Sequence, residues 1–221
     1  KFNQSHFDTQ THVTLHTFLG FRLVLLVLGD WYKLFRLKQQ FYQQIQIKSA
    51  HLWPLFKRDS QLSIIGKTAM NNLLCLRLFE EAMRDLPTQS KGCYLQENQG
   101  LEFSFIHAWQ SSKHKNNLIG FPHTSVRYWD LRYFFDPRSY RRKKQGGLPL
   151  PDYVGVNGER AKQMYLDGGY PENELIEVES LRFLYLSYFS AHNNAIDDKG
   201  LKNKVVLVVG DYLSQNTAKQ L

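Results

Sequence analysis

Short apolar segments alternate with helical ones along this chain, and most of them end in a polar cluster. No other feature of the sequence constrains the fold as much. Residues 92–95, 117–121, 153–156 and 174–178 each read as a strand. Helical spacing fills residues 101–111 and the stretch from Asn157-Gly158 to Asp167. A last strand is expected at residues 204–209, followed by Gly210-Asp211. Such alternation predicts an α/β fold built on a parallel sheet. Ligands of such sheets bind beyond the carboxyl ends of the strands. Three polar clusters fall there: residues 96–99, residues 122–125 and Asn157-Gly158.

The N-terminal part carries different signals. Residues 1–17 are polar, rich in Thr and His, and without a period. Residues 18–28 are the most apolar stretch and read as buried core. They fall well short of the ~20 residues that a membrane span needs. From residue 18 to residue 47 helix is the preferred reading. The alternative for its first part is a buried strand closed by a Gly29-Asp30 turn. Residues 51–60, with Pro54 and a charged cluster, read as a loop. Ser60 or Ser63 is expected to cap an amphipathic helix over residues 64–84, which Pro87 terminates.

The far end reads as polar linker over residues 190–204 and as the start of a second α/β unit over residues 205–221. The expected organisation is therefore an N-terminal domain of residues 1–189, that linker, and the beginning of a C-terminal domain. Lys1 is not a starting methionine, and the chain is read as part of a longer protein.

Composition narrows the partners. A net charge of +8 favours anionic ones: nucleic acid, phosphorylated sugars or a lipid surface. Aromatic residues make up 14%, which suits either a ring-lined cleft or a Tyr- and Phe-rich core. Cys75 and Cys93 lack metal spacing, and His12 and His16 lack an acidic third ligand, so no metal site is expected. No secretory leader is visible, and a cytoplasmic location is expected, with peripheral contact to the inner membrane as an extension of it.

Particular residues carry the chemistry. Glu97, at a strand end beside Asn98 and Gln99, reads either as a general base or as a carboxylate interacting with free N–H groups. Glu102 reads as structural. His123 follows Pro122 at another strand end, where imidazole can move a proton or donate to a phosphate. Thr124 and Ser125 stand beside it. Arg127, Asp130, Arg132, Asp136 and Arg138 alternate in sign among aromatic residues. They either bind phosphate and carboxylate groups or form internal ion pairs. Arg182 is a further substrate-binding candidate. The basic run 141–144 is a solvated loop or a contact to anionic lipid. Asn157-Gly158 either makes a tight turn or offers backbone N–H groups to a phosphate. The sequence contains no P-loop, GxGxxG, GxSxG or HExxH pattern.

Three blocks carry a family resemblance: CYLQENQGLEFSFIHAW, LIGFPHTSVRYWDLRYFFDP and LPLPDYVGVNGERAKQMYLDGGYPENELIEVESLRFLYL. Over residues 60–221 the chain resembles the bacterial surface carbohydrate biosynthesis proteins of O-antigen and capsule gene clusters. It departs from them at Leu101-Glu102, where the family often has Trp-Glu. The resemblance implies a GT-B-type architecture of two Rossmann-like domains, with this chain supplying the acceptor side. It implies a glycosyltransferase that needs no cofactor and takes a nucleotide-sugar donor, with a CMP-linked sugar as one candidate. The acceptor is a glycan or a lipid-linked glycan. Gly210 and Asp211 would lie on the nucleotide side, and a chain ending there would be inactive alone.

Two other classes compete. A nucleic-acid-binding module would use the aromatic and basic stretch 127–144 and bind with steep salt dependence. A noncatalytic scaffold at a membrane surface would use the run 141–144.

Overall fold

The computed structural model describes residues 6–7, 10–48, 51–114, 117–123, 126, 130–141 and 147–178. All belong to one compact unit, Lys1–Glu179. The expected linker, the second-unit strand, and Ser125, Arg127, Arg182, Gly210 and Asp211 lie outside the described residues.

Two short strands open the chain, β1 (His6–Phe7) and β2 (Gln10–Thr11), paired antiparallel where no element was expected. Three helices follow: α1 (Phe21–Lys48), α2 (Trp53–Ile64) and α3 (Lys67–Asp85). The sheet and its connections then alternate as β3 (Gly92–Gln96), α4 (Gly100–Gln110), β4 (Leu118–Pro122), α5 (Pro137–Arg141), β5 (Tyr153–Val156), α6 (Glu159–Asp167) and β6 (Leu175–Glu177).

The four strands β3–β6 are all parallel and lie side by side in sequence order. The protein is thus a mixed α/β structure with a four-stranded parallel sheet, as the alternation requires. Parallel pairing carries the ends of β3, β4 and β5 to one edge of the sheet. The registers Tyr94↔Gly120 and Gly120↔Val154 define one face, on which α4 and α6 pack. Ile106, Ala108 and Trp109 of α4 meet Leu118 in one cluster, and Tyr165 of α6 meets Val154 and Val156 in another. Tyr133, Tyr140 and Tyr170 complete that second cluster, so much of the aromatic content is core. On the opposite face Cys93 and Leu95 are exposed.

Three expectations fail in the helical part. Residues 53–60 are not a loop but most of α2, because Pro54 sits in its first turn. There proline's missing N–H has no intrahelical partner to lose. Ser60 and Ser63 lie inside that helix, and the N-cap of α3 is Gly66. Nor is the stretch 18–28 buried as a whole. Leu23 and Val27 pack against Leu78 of α3, whereas Phe21, Leu25 and Leu28 are exposed. Asp30 anchors the same contact, accepting hydrogen bonds from Arg77 Nε at 2.7 Å and Lys33 Nζ at 2.9 Å. Trp31 donates its indole N–H to the Ile65 carbonyl at 2.9 Å, tying α1 to the turn between α2 and α3.

Candidate functional site

β3 delivers Glu97, Asn98 and Gln99 to the carboxyl edge of the sheet, and β4 delivers His123 beside them. Their junction begins in the backbone, where the His123 N–H donates to the Gln96 carbonyl at 3.1 Å. The Tyr133 hydroxyl donates to the same carbonyl at 3.0 Å from within the core. The two strand tips are therefore fixed to each other and to the aromatic cluster below.

After Gln96 the chain turns sharply. Asn98 adopts φ 58°, a left-handed conformation that asparagine tolerates better than most residues. Its amide donates to the Arg132 carbonyl at 2.7 Å, and its Oδ1 accepts from Gln96 Nε2 at 3.1 Å. Glu102, on the first turn of α4, points back and accepts the N–H groups of Glu97 and Asn98. That assigns Glu102 the structural role expected of it.

The turn leaves Glu97 aimed across to β4. Its Oε1 lies 3.8 Å from His123 Nε2, and its Oε2 accepts from Gln99 Nε2. The imidazole is 52% exposed and the carboxylate 28%, so both are open to solvent and to a ligand. At 3.8 Å the two groups are beyond hydrogen-bond length, yet one oxygen about 2.8 Å from each fits between them. A carboxylate and an imidazole converging on one oxygen can remove its proton or hold it in place.

The tip of β5 stands at the same edge. Gly158 has φ 136°, which side chains rarely adopt, and a Cβ there would meet nothing within 4 Å. Its carbonyl accepts the Lys162 N–H at 3.1 Å at the start of α6. This is the N-terminus of α6, the kind of position at which anions bind. Glu159 in the first turn already supplies negative charge there. Asn157-Gly158 thus serves the turn in either reading.

The charged series behaves differently from the strand tips. Arg132 grips Asp130 through two nitrogens, Nε at 2.9 Å and Nη2 at 2.8 Å. Arg138 grips Asp136 the same way, at 2.8 and 2.6 Å. Hydrogen bonds from Arg138 hold the Asp136 carboxyl down at about 2, and the hydrogen bonds that Arg132 donates to Asp130 push the Arg132 guanidinium upward. Both forks are occupied by neighbouring carboxylates, which favours internal ion pairing. Arg127 and residues 142–144, which the nucleic-acid reading also uses, lie outside the described residues.

Gln96 carries a signal that the sequence does not show. It is 1% exposed, and its Oε1 has no hydrogen-bond partner among the described residues. Its amide, with the carbonyl that receives both Tyr133 and His123, makes it the hub beneath the tips. A polar residue at the last position of a strand was its only trace in the sequence.

A cleft of about 440 Å³ lies elsewhere, lined by Met83 and Arg84 of α3 and by Ser111, Ser112 and Lys113 after α4. Those segments precede β3 and β4, so the cleft does not coincide with the strand tips. Among the described residues no His, Cys, Asp and Glu cluster is arranged to hold a metal, and no helix is long and apolar enough to cross a membrane.

Comparison with protein-family models, with curated proteins and with solved structures finds no match.

Proposed function

We propose that this chain forms the acceptor side of a GT-B-type glycosyltransferase of bacterial surface polysaccharide synthesis. The convergence of Glu97 and His123, 3.8 Å apart on adjacent strand tips, carries the reading. The acceptor hydroxyl lies between them. Glu97 takes its proton as the oxygen attacks the sugar carbon of the activated donor, and His123 orients the oxygen. The bond from that carbon to the donor phosphate breaks, and the phosphate departs with the electron pair. Asn98 and Gln99 border the hydroxyl. The start of α6 at Asn157-Gly158 faces substrate anionic groups, where aligned N–H groups stabilise charge.

Ser125, Arg127 and Arg182 are assigned to the substrate from the sequence, and the resemblance adds Gly210 and Asp211 toward the nucleotide and a nucleotide-sugar donor, with a CMP-sugar as one candidate. The chemistry described requires no metal. The cytoplasm is the proposed compartment.

The test is sugar transfer from a panel of nucleotide sugars, using the complete natural protein. Glu97→Gln and His123→Ala should each lower turnover by about 10² or more, the usual contribution of a positioned acid or base. Turnover unchanged in both variants would remove the site.

A further inference from the structure

The outer surface of α1 has no covering element among the described residues, although it is among the most apolar surfaces of the molecule. Phe21, Leu25, Leu28, Tyr32 and Phe35 follow one another at steps of four and three residues, so they form one stripe along the helix. Their exposures run from 39% to 80%. The stripe faces away from Leu23 and Val27, which bury the other side of α1 against α3.

The charges beside it have one sign. Arg22 and Arg36 flank one side of the stripe and Lys38 the other, with Lys33 beyond the arginines. Lys38 lies along the stripe with its ammonium 3.9 Å above the Phe35 ring. The only acid between residues 21 and 44 is Asp30, which is turned inward to Arg77. An apolar stripe bordered by cations matches the boundary between the headgroups and acyl chains of an anionic bilayer. The lysine and arginine stems lie along the apolar surface while their heads reach the phosphates.

A second copy of this chain fits less well. Steps of four and three suit a paired helix, but the flanking positions then face their counterparts across the seam. Here the charged flanking residues, Arg22, Arg36 and Lys38, are all cations, so no opposite-charge pair forms across the seam.

We propose that α1 lies on an anionic lipid surface through the stripe of residues 21, 25, 28, 32 and 35. The contact is with the membrane face and does not span it. It does not depend on the function proposed for the strand tips.

Vesicle flotation of the full chain tests this, with phosphatidylcholine alone and with about 30 mol% phosphatidylserine. The chain should float with the anionic vesicles only, and salt at about 0.5 M should release it. Leu25→Glu with Leu28→Glu should abolish flotation while circular dichroism stays unchanged, because both side chains are exposed. Arg22→Gln and Arg36→Gln should each weaken partitioning about fivefold. Equal binding to both vesicles, no flotation, or flotation retained by the double glutamate variant would overturn the proposal. So would a concentration-dependent dimer, or capture of an acidic amphipathic peptide, that the same variant abolishes in a chain that never floats.

Discussion

Oε2 of Glu102 accepts the backbone N–H of Asn98 at 2.7 Å, closing the turn that carries β3 into the candidate site. The same oxygen accepts the Glu97 N–H at 2.8 Å, so a single carboxylate holds two successive peptide groups. Glu102→Ala leaves both donors without that partner. Hydrogen bonds to a charged acceptor are among the stronger ones, and a loss of about 2 kcal/mol is expected in urea denaturation. Turnover, where it can be measured, should fall too, because Glu97 depends on this turn for its aim. An unchanged urea midpoint would show that water replaces the carboxylate without loss.

The left-handed Asn98 makes a separate prediction. Glycine normally weakens ordered structure relative to alanine. At φ 58° the order should reverse. Asn98→Gly and Asn98→Ala both lose the side-chain bonds to Gln96 and Arg132, but only alanine adds strain, about 1–2 kcal/mol. The glycine variant should therefore melt higher than the alanine variant. Equal melting temperatures would mean that the turn abandons its conformation once the amide is gone.

Asp30 gives the acid response. Burial alone would raise its pKa, but hydrogen bonds from Lys33 and Arg77 outweigh burial and hold the carboxyl below its ordinary value. A carboxylate lowered in the folded state contributes stability that is fully present above the unfolded value, about 3.9. That contribution is lost as pH falls through the folded value. Asp30→Asn should thus be less stable than the parent by about 1 kcal/mol at pH 7, a small figure because solvent screens part of the pair. The gap should narrow below about pH 4. Urea midpoints of both proteins at the two pH values measure it, and a gap that persists in acid would assign the loss to packing.

The strands were legible because each is a short apolar run bounded by turn residues, and the parallel order follows from the intervening helices. Glu97 and His123 were legible for the same reason, since both stand just past such runs. The stretch 18–28 was not. Hydrophobicity shows that Leu23 and Phe21 are both apolar, but only the docking of α3 decides that Leu23 is covered and Phe21 is not. Pro54 signals a break in either a loop or a first helical turn, and local sequence did not separate the two. The pairing of Arg132 with Asp130 depends on side-chain geometry two residues apart, which the sequence does not show.

Gly120 joins the sheet to the aromatic interior. A Cβ built there would come within 2.8 Å of the Tyr94 hydroxyl and 3.1 Å of Gln96 Oε1. That hydroxyl is buried and has no hydrogen-bond partner among the described residues, and burial pushes its pKa well up, with Glu102 adding to the shift. Gly120→Ala forces a buried side chain aside and should destabilise by about 1–3 kcal/mol, as overpacking does. Tyr94→Phe removes the atom that the new methyl meets, and with it a buried polar group that makes no hydrogen bond among the described residues. Alone it should be neutral or slightly stabilising. Together the two substitutions should recover most of the loss, because residues in contact are not additive. A double-mutant cycle by chemical denaturation reads this directly. Strict additivity would mean that Gly120 is required for the backbone of β4 and not for the ring of Tyr94.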